Sequence, residues 1–366
     1  MQGRESDRER EILDALLTTL QKIPQAHASL VLGEGTRESS ALKLDAAIDL
    51  EIADRNLTLL IEIKKTVYPR DTREIIWQIS HYINSYLHED REDVVPFVAA
   101  ESISTGAREI LKEENVGFFD SGGSLFVPAK SAYLYIERPV PRTLEKSVRS
   151  LFTGKRSQVL HALLTRPRDW LGGTELARLA EVSPATASET MTALERMGWT
   201  SSRGHGPSKE RRLSDPAELL DEWQTQVLAS RRSLIRRRYY VPGGESAALS
   251  HRLAELCAAA GVEYALTQEA AAQVYAPFLS SISRVACRMP PSNPADELLI
   301  QLGARLVSEG ANLDVIETKS RGEFLFRELK ESIWLASPVQ VYLDLLRGEG
   351  RSRDMAEHLR KEILGI

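Results

Sequence analysis

The apolar run Leu59–Ile63 ends in Glu62-Ile63-Lys64, with Asp49 upstream. Side chains two apart share a face of a strand, so Glu62 and Lys64 point one way while Ile61 and Ile63 point into a core. Two carboxylates and a lysine beside a strand core are costly unless something compensates them. A divalent cation held by hard oxygen ligands would do so, which makes Asp49 and Glu62 candidate Mg²⁺ ligands. Lys64 is then placed to orient or activate a water that attacks a phosphodiester. Asp45 shares the face of Asp49 and is a rival ligand. Alone, Glu-x-Lys is also common on solvated strand faces, where the charge pair contributes little.

Further residues extend the pattern. Gln78 and Tyr82 stand four apart on the helical run Thr72–Leu87, hence on one helix face. Asp49, Glu62-x-Lys64 and Gln78-x-x-x-Tyr82 together resemble the PD-(D/E)xK nuclease superfamily, in its RecB-type branch, over about residues 8–137. The resemblance implies a restriction-endonuclease-like mixed sheet flanked by helices. It implies Asp49, Glu62 and the carbonyl of Ile63 as metal ligands, Lys64 as catalytic base or orienter, and Gln78 and Tyr82 facing the site. It also suggests a first-helix carboxylate, Glu9 or Glu11. The Pro-Asp dipeptide of the family is absent, since Ala47-Ile48 precede Asp49. A nuclease fold can be retained for binding alone, because function follows the site and not the fold.

The first segment opens with an amphipathic helix, Arg8–Ile23, stopped by Pro24. Strands are expected at Leu30–Leu32, Leu44–Ile52, Leu59–Lys64 and Val94–Ala99. Ser104 or Thr105 should cap a helix over Ala107–Glu114, and Asp120 reads as a turn residue. Pro139-Val140-Pro141 marks a linker.

The second segment reads as a winged helix-turn-helix. Helices are expected at Ser157–Thr165, at Thr174–Ala180 capped by Thr174, and at Pro184–Met197 capped by Ser183. Trp199–Ser201 and Glu210–Leu213 would form the wing. In that geometry the third helix enters the major groove of duplex DNA. Its outward residues would be Ala185, Thr186, Ser188, Glu189 and Thr192, short and weakly polar, with no arginine to fork onto guanine; Ser183, Thr186, Ser188 and Thr192 are the candidate DNA contacts. Phosphate contacts then fall to Arg203, Lys209, Arg211 and Arg212, four cations against the single acid Glu210 between 202 and 213. A helix-turn-helix used for protein contacts is the blander alternative.

Pro216–Tyr239 reads as one long helix, acidic at its start and basic at its end, a split that suits the helix dipole. Its arginines, Arg231, Arg232, Arg236, Arg237 and Arg238, exceed what a helix C-terminus needs and are candidates to grip nucleic-acid backbone or an acidic protein partner. Beyond Pro242-Gly243-Gly244 the chain is α/β, with strands expected at Tyr264–Leu266, Ser283–Arg288, Asn312–Ile316 and Glu323–Phe326. Tyr264–Thr267 followed by Glu269–Ala272 resembles the opening strand and helix of a minimal nucleotidyltransferase fold. The Gly-Ser and Asp-x-Asp elements of that fold are missing, so this is expected to be a degenerate, non-catalytic relative.

The order of winged helix, transferase-like domain and the closing stretch Ser337–Leu345 with Arg351–Leu359 resembles AbiEi-family antitoxins, regulators of type IV toxin–antitoxin systems, over about 155–366. That resemblance implies promoter binding, autorepression and a nucleotidyltransferase-type toxin partner. The expected architecture is therefore α/β and α+β, multidomain, with a nuclease-like domain over 1–140, a winged helix over 150–225 and an AbiEi-like domain over 226–366. A homodimer is expected, because such regulators read paired half-sites.

The 366 residues, 42% hydrophobic and 27% charged, suit a chain with several cores. A net charge of −5 neither favours nor opposes a nucleic-acid partner. The charged N-terminus is not a signal peptide, and no apolar run approaches a membrane span. Cys257 and Cys287 lack metal-ligand spacing and read as buried thiols in a reducing cytoplasm. Two functions compete: a DNA-binding regulator of antitoxin type, and a Mg²⁺-dependent DNA endonuclease targeted by its winged helix. A scaffold in which both folds are relics is a third.

Overall fold

The computed structural model describes residues 2–31, 44–53, 55–86, 93–129, 133–230, 234–243 and 245–366. They form two compact units, Met1–Val148 with Ala193–Gly198, and Arg149–Thr192 with Trp199–Ile366. Both are mixed α/β.

The first unit runs α1 (Gln2–Gln21), β1 (Ala26–Leu30), β2 (Ala46–Ile52), β3 (Arg55–Val67), α2 (Pro69–Tyr86), β4 (Val94–Ile103), α3 (Thr105–Glu113), β5 (Gly117–Asp120), β6 (Leu125–Pro128) and β7 (Tyr133–Ile136). The seven strands lie in sequence order in one sheet. β1, β2 and β3 are antiparallel, β3, β4 and β5 are parallel across the helical crossovers, and β6 and β7 return antiparallel. Each face buries its own core. Ile12, Leu16 and Leu20 of α1 pack on Ile48, Leu50, Leu57, Leu59, Ile61 and Ile63. Ile75 and Ile79 of α2 and Ala107 and Leu111 of α3 pack with Leu60, Val98 and Ala100 on the other face. The period-2 alternation of β3 thus sends Ile61 and Ile63 under α1, and puts Glu62 and Lys64 on the α2 side. Ser104 caps α3, accepting from the Ala107 N–H.

Asp120 is not an exposed turn residue. It is fully buried at the end of β5, bound by Arg108 at 2.6 Å and by the Gly122 N–H at 2.9 Å. Burial still pushes its carboxyl above the usual range against the pull of Arg108.

α4 (Arg142–Leu151) leads into the second unit. Next along the chain come α5 (Gly154–Thr165), β8 (Leu171–Gly172), α6 (Gly173–Leu179), α7 (Pro184–Arg196), β9 (Thr200–Arg203) and β10 (Glu210–Leu213), with the strands in the order β8-β10-β9; from Ala193 on, α7 counts with the first unit. Ser183 caps α7 through the Thr186 N–H. α6 begins one residue earlier than expected, after Gly172 and without a side-chain cap, so Thr174 lies inside it. The turn before α7 is held by Glu181 at φ 49°, a left-handed conformation uncommon outside glycine.

α8 (Pro216–Ala229) is capped by Asp215 and stops well short of Tyr239. Arg236–Tyr240 is a strand, β11, at odds with the single helix expected over Pro216–Tyr239. A sheet of order β14-β11-β15-β13-β12-β17-β16 contains it. The other strands are β12 (Ala265–Thr267), β13 (Val285–Met289), β14 (Arg305–Leu306), β15 (Leu313–Glu317), β16 (Glu328–Lys330) and β17 (Ile333–Leu335). Glu323–Phe326 is not a strand: Arg321–Phe324 is a 3₁₀ turn. The sheet is flanked by α9 (Ser246–Ala260), α10 (Gln268–Tyr275), α11 (Asn293–Gln301), α12 (Pro338–Leu345) and α13 (Ser352–Leu359). Cys257 and Cys287 are buried free thiols.

Candidate nucleic-acid interface

The assembly from α5 to β10 presents a polar helix face and a basic hairpin. On α7, Ser183, Ala185, Ser188 and Glu189 are exposed and Thr186 and Thr192 half-buried, while Ala187, Thr190 and Met191 face inward. The hydroxyls are partly committed to the helix itself. Ser183 Oγ meets Thr186 Oγ1 at 2.9 Å, and Thr192 Oγ1 donates to the Ser188 carbonyl at 2.9 Å. Glu189 is the carboxylate on this face, and Arg156 approaches it at 3.4 Å.

The hairpin sorts its four cations by strand alternation. Arg203 and Arg212 are exposed, Lys209 is half-buried, and Arg211 is buried at 9%. Arg211 lies opposite Ser202, on the inward face, so it does not join Arg203 and Arg212 at the surface. Arg203 is paired with Glu210 through Nε at 2.7 Å and Nη2 at 2.6 Å. Arg212 has no carboxylate partner among the described residues, and its guanidinium lies over the Trp170 ring.

The basic run further on is placed differently from the sequence expectation. Arg236 and Arg237 are in β11, inside a sheet, and their charges are spent there. Arg236 reaches Asp314 at 3.2 Å, and Arg237 holds Asp296 at 2.7 Å and Glu317 at 3.2 Å. They are not brought beside the hairpin cations. Arg231 and Arg232 lie outside the described residues. An open cleft of about 440 Å³ in this half carries Arg236, Arg284 and Arg351 against Glu269, Asp314 and Glu349, so its walls favour neither sign of charge.

In the first unit, β2 and β3 pair with Ala46 opposite Ile61 and Asp49 opposite Thr58. Asp49 is exposed and accepts from Thr58 Oγ1 at 2.9 Å. Four strand residues, about 13 Å, separate it from the position facing Glu62. The carboxylate that does reach that position is Asp45. Its N–H bonds the Ile61 carbonyl, and its Oδ2 accepts from the Ile63 N–H at 2.7 Å. Glu62 is buried at 7% and bonded by Lys64 Nζ at 2.5 Å. Burial raises the Glu62 carboxyl above its ordinary range; the Lys64 hydrogen bond opposes this and the Asp45 charge adds to it. Gln78 and Tyr82 are half-buried on α2, over the face that carries Glu62. Gln78 Oε1 is buried without a hydrogen-bond partner among the described residues. Glu9 and Glu11 sit on α1, whose core lies on the opposite face of the sheet, so no first-helix carboxylate is brought to Glu62.

Among the described residues, Asp45 and Glu62 each commit one oxygen and retain a second, a donor set of the kind Mg²⁺ prefers. Among the described residues no group of three or more His, Cys, Asp or Glu side chains assembles that could hold a metal.

The sheet of the second unit holds a buried ion cluster around Arg288. Arg288 of β13 binds Asp344 through Nε at 2.8 Å and Nη2 at 2.5 Å, and also Glu323. Thr267 and Gln340 donate to the same Asp344 carboxylate at 2.6 and 3.0 Å. The closing stretch Tyr342–Leu345 thus anchors the sheet through Asp344, with Tyr342 itself buried.

Residues 212–365 match the family model described as "Transcriptional regulator, AbiEi antitoxin, Type IV TA system". The match begins in β10 and takes in α8 and the large sheet of the second unit; the helices α5 to α7 and the first unit lie outside it. This supports the antitoxin resemblance for the C-terminal part of the chain. No curated protein matches the chain. Among the described residues no helix is long and apolar enough to cross a membrane.

Proposed function

We propose that the chain is a DNA-binding transcriptional regulator of AbiEi antitoxin type, with the segment α5–β10 as its winged helix-turn-helix. Two observations carry this reading: the short hydroxyl residues on the solvent side of α7, and the exposed Arg203 and Arg212 of the β9–β10 hairpin. Short side chains on the helix suit contacts to base edges and thymine methyls, and the hairpin cations suit phosphates. The antitoxin match over 212–365 adds the regulatory class. A second copy of the chain and a nucleotidyltransferase-type toxin are its expected protein partners, and the chain's own promoter its expected site. Fluorescence anisotropy on a promoter duplex tests the reading. Binding should weaken steeply with salt, and Arg212→Ala should flatten the log–log salt slope by about 0.9. Absence of duplex binding at low salt would end the proposal.

The pairing of Asp45 with Glu62 and Lys64 favours a second reading for the first unit, a Mg²⁺-dependent endonuclease of restriction-endonuclease-like fold. Asp45 and Glu62, with the Ile63 carbonyl, would hold the ion, which supplies charge neutralisation at a phosphodiester. Lys64 would orient the attacking water, and Gln78 and Tyr82 would face the site from α2. Cleavage of duplex, single-stranded or branched DNA with Mg²⁺ or Mn²⁺ should vanish in Asp45→Asn and Lys64→Ala and survive in Asp49→Asn. A wild-type chain inert on all three substrates rejects it.

A further inference from the structure

The wing carries an aromatic residue that the reading above does not use. Trp170 immediately precedes β8, and β8 pairs with β10 so that Gly172 faces Glu210 and Leu171 faces Arg211. The next step of that register puts Trp170 across from Arg212, on the outward face of the sheet. Arg203, opposite Glu210, lies on the same face. Both guanidiniums rest on the indole: Arg203 Cζ is 4.5 Å and Arg212 Cζ 4.9 Å from the Trp170 ring. These separations are well inside the range of a cation–π contact.

We propose that Trp170 is a positioning residue of the DNA interface, which holds Arg203 and Arg212 in place for backbone phosphates. The inference rests on the winged-helix reading. A guanidinium lying over a ring still offers N–H groups that can fork onto phosphate. Arginine otherwise loses much rotamer freedom when a contact orders it. On this wing the ordering precedes the ligand. Arg212 is the readier of the two, since its edge meets no carboxylate among the described residues. Arg203 must first exchange Glu210 for phosphate. Gly172, opposite Glu210, adds no side chain to this face.

The test is duplex binding by anisotropy across a salt series for the full-length chain. Trp170→Ala should weaken binding about tenfold, because the ordering of two arginines then falls on the binding step. The salt slope should stay as in wild type, because both charges remain. Trp170→Phe should retain most of the affinity, whereas Trp170→Leu, with apolar bulk but no π face, should behave like Trp170→Ala. In an Arg203→Ala/Arg212→Ala background, Trp170→Leu should cost nothing further. Wild-type affinity in Trp170→Leu overturns the inference. So does equal binding by the Phe and Leu variants, or an undiminished loss in the double-alanine background, because either marks a merely packing role. Duplex binding by wild type with any of these results removes the inference alone. No duplex binding by wild type removes the winged-helix reading with it.

Discussion

Lowering the pH from 7 to 5 should destabilise the second unit through one buried histidine. His161 of α5 is enclosed between Trp223 and Phe326, with ring centroids 6.2 and 5.0 Å away, and its Nε2 lies 2.5 Å from Ser337 Oγ. Burial pushes its pKa from 6.5 down to about 4. Below pH 6.5 the unfolded chain takes up a proton that the folded chain refuses until near pH 4. Stability from this residue is therefore present above pH 6.5 and lost as the pH falls between those values. At about 1.36 kcal/mol per unit the full loss is about 3 kcal/mol, of which about 2 kcal/mol is gone at pH 5. The carboxyls of Glu62, Asp120 and Glu323 are shifted upward by burial and act in the opposite sense, so wild type alone is not diagnostic. The comparison needed is with His161→Gln, which keeps a hydrogen-bonding group but does not titrate. Urea unfolding followed by tryptophan fluorescence gives the difference directly. The stability gap between wild type and variant should move by about 2 kcal/mol against wild type between pH 7 and 5. Parallel pH dependences would refute the assignment of a buried, neutral His161.

Three further outcomes follow from the same contacts. Glu210→Gln releases Arg203 from its carboxylate; duplex binding should tighten several-fold, with a salt slope steeper by up to about 0.9, read by anisotropy. Asp344→Ala leaves the buried Arg288 with Glu323 as its remaining carboxylate and should cost about 3 kcal/mol in urea unfolding, with Asp344→Asn milder because it keeps an acceptor. Arg237→Ala should lower stability while leaving the DNA salt slope unchanged, because its charge is held by Asp296 and Glu317.

Local periodicity made much of the fold legible. The alternation around Glu62 and the capped helix at Ser183 followed from pattern and turn chemistry, as did the Glu210–Leu213 strand. What failed depended on register or on distant partners. Asp45 and Asp49 have the same parity, so alternation alone does not separate them; the β2–β3 register does, by pairing Asp49 with Thr58. Arg211 and Arg212 are adjacent in sequence, yet alternation buries one and exposes the other. Arg236–Tyr240 imitated a basic helix end, but its arginines meet acids from α11 and β15 that lie far along the chain. The run Tyr239-Tyr240-Val241, rich in strand-forming residues, was the available signal for a strand there. Trp170 gave no local signal, since its role depends on the β8–β10 pairing.

The most direct test is the affinity for the chain's own promoter duplex against random duplex of equal length, measured at one physiological salt concentration. A regulator reading bases through α7 should bind the promoter about 10³-fold or more tightly, and Ser188→Ala/Thr192→Ala should narrow that ratio without changing the salt slope. Equal affinity for the two duplexes would contradict the account.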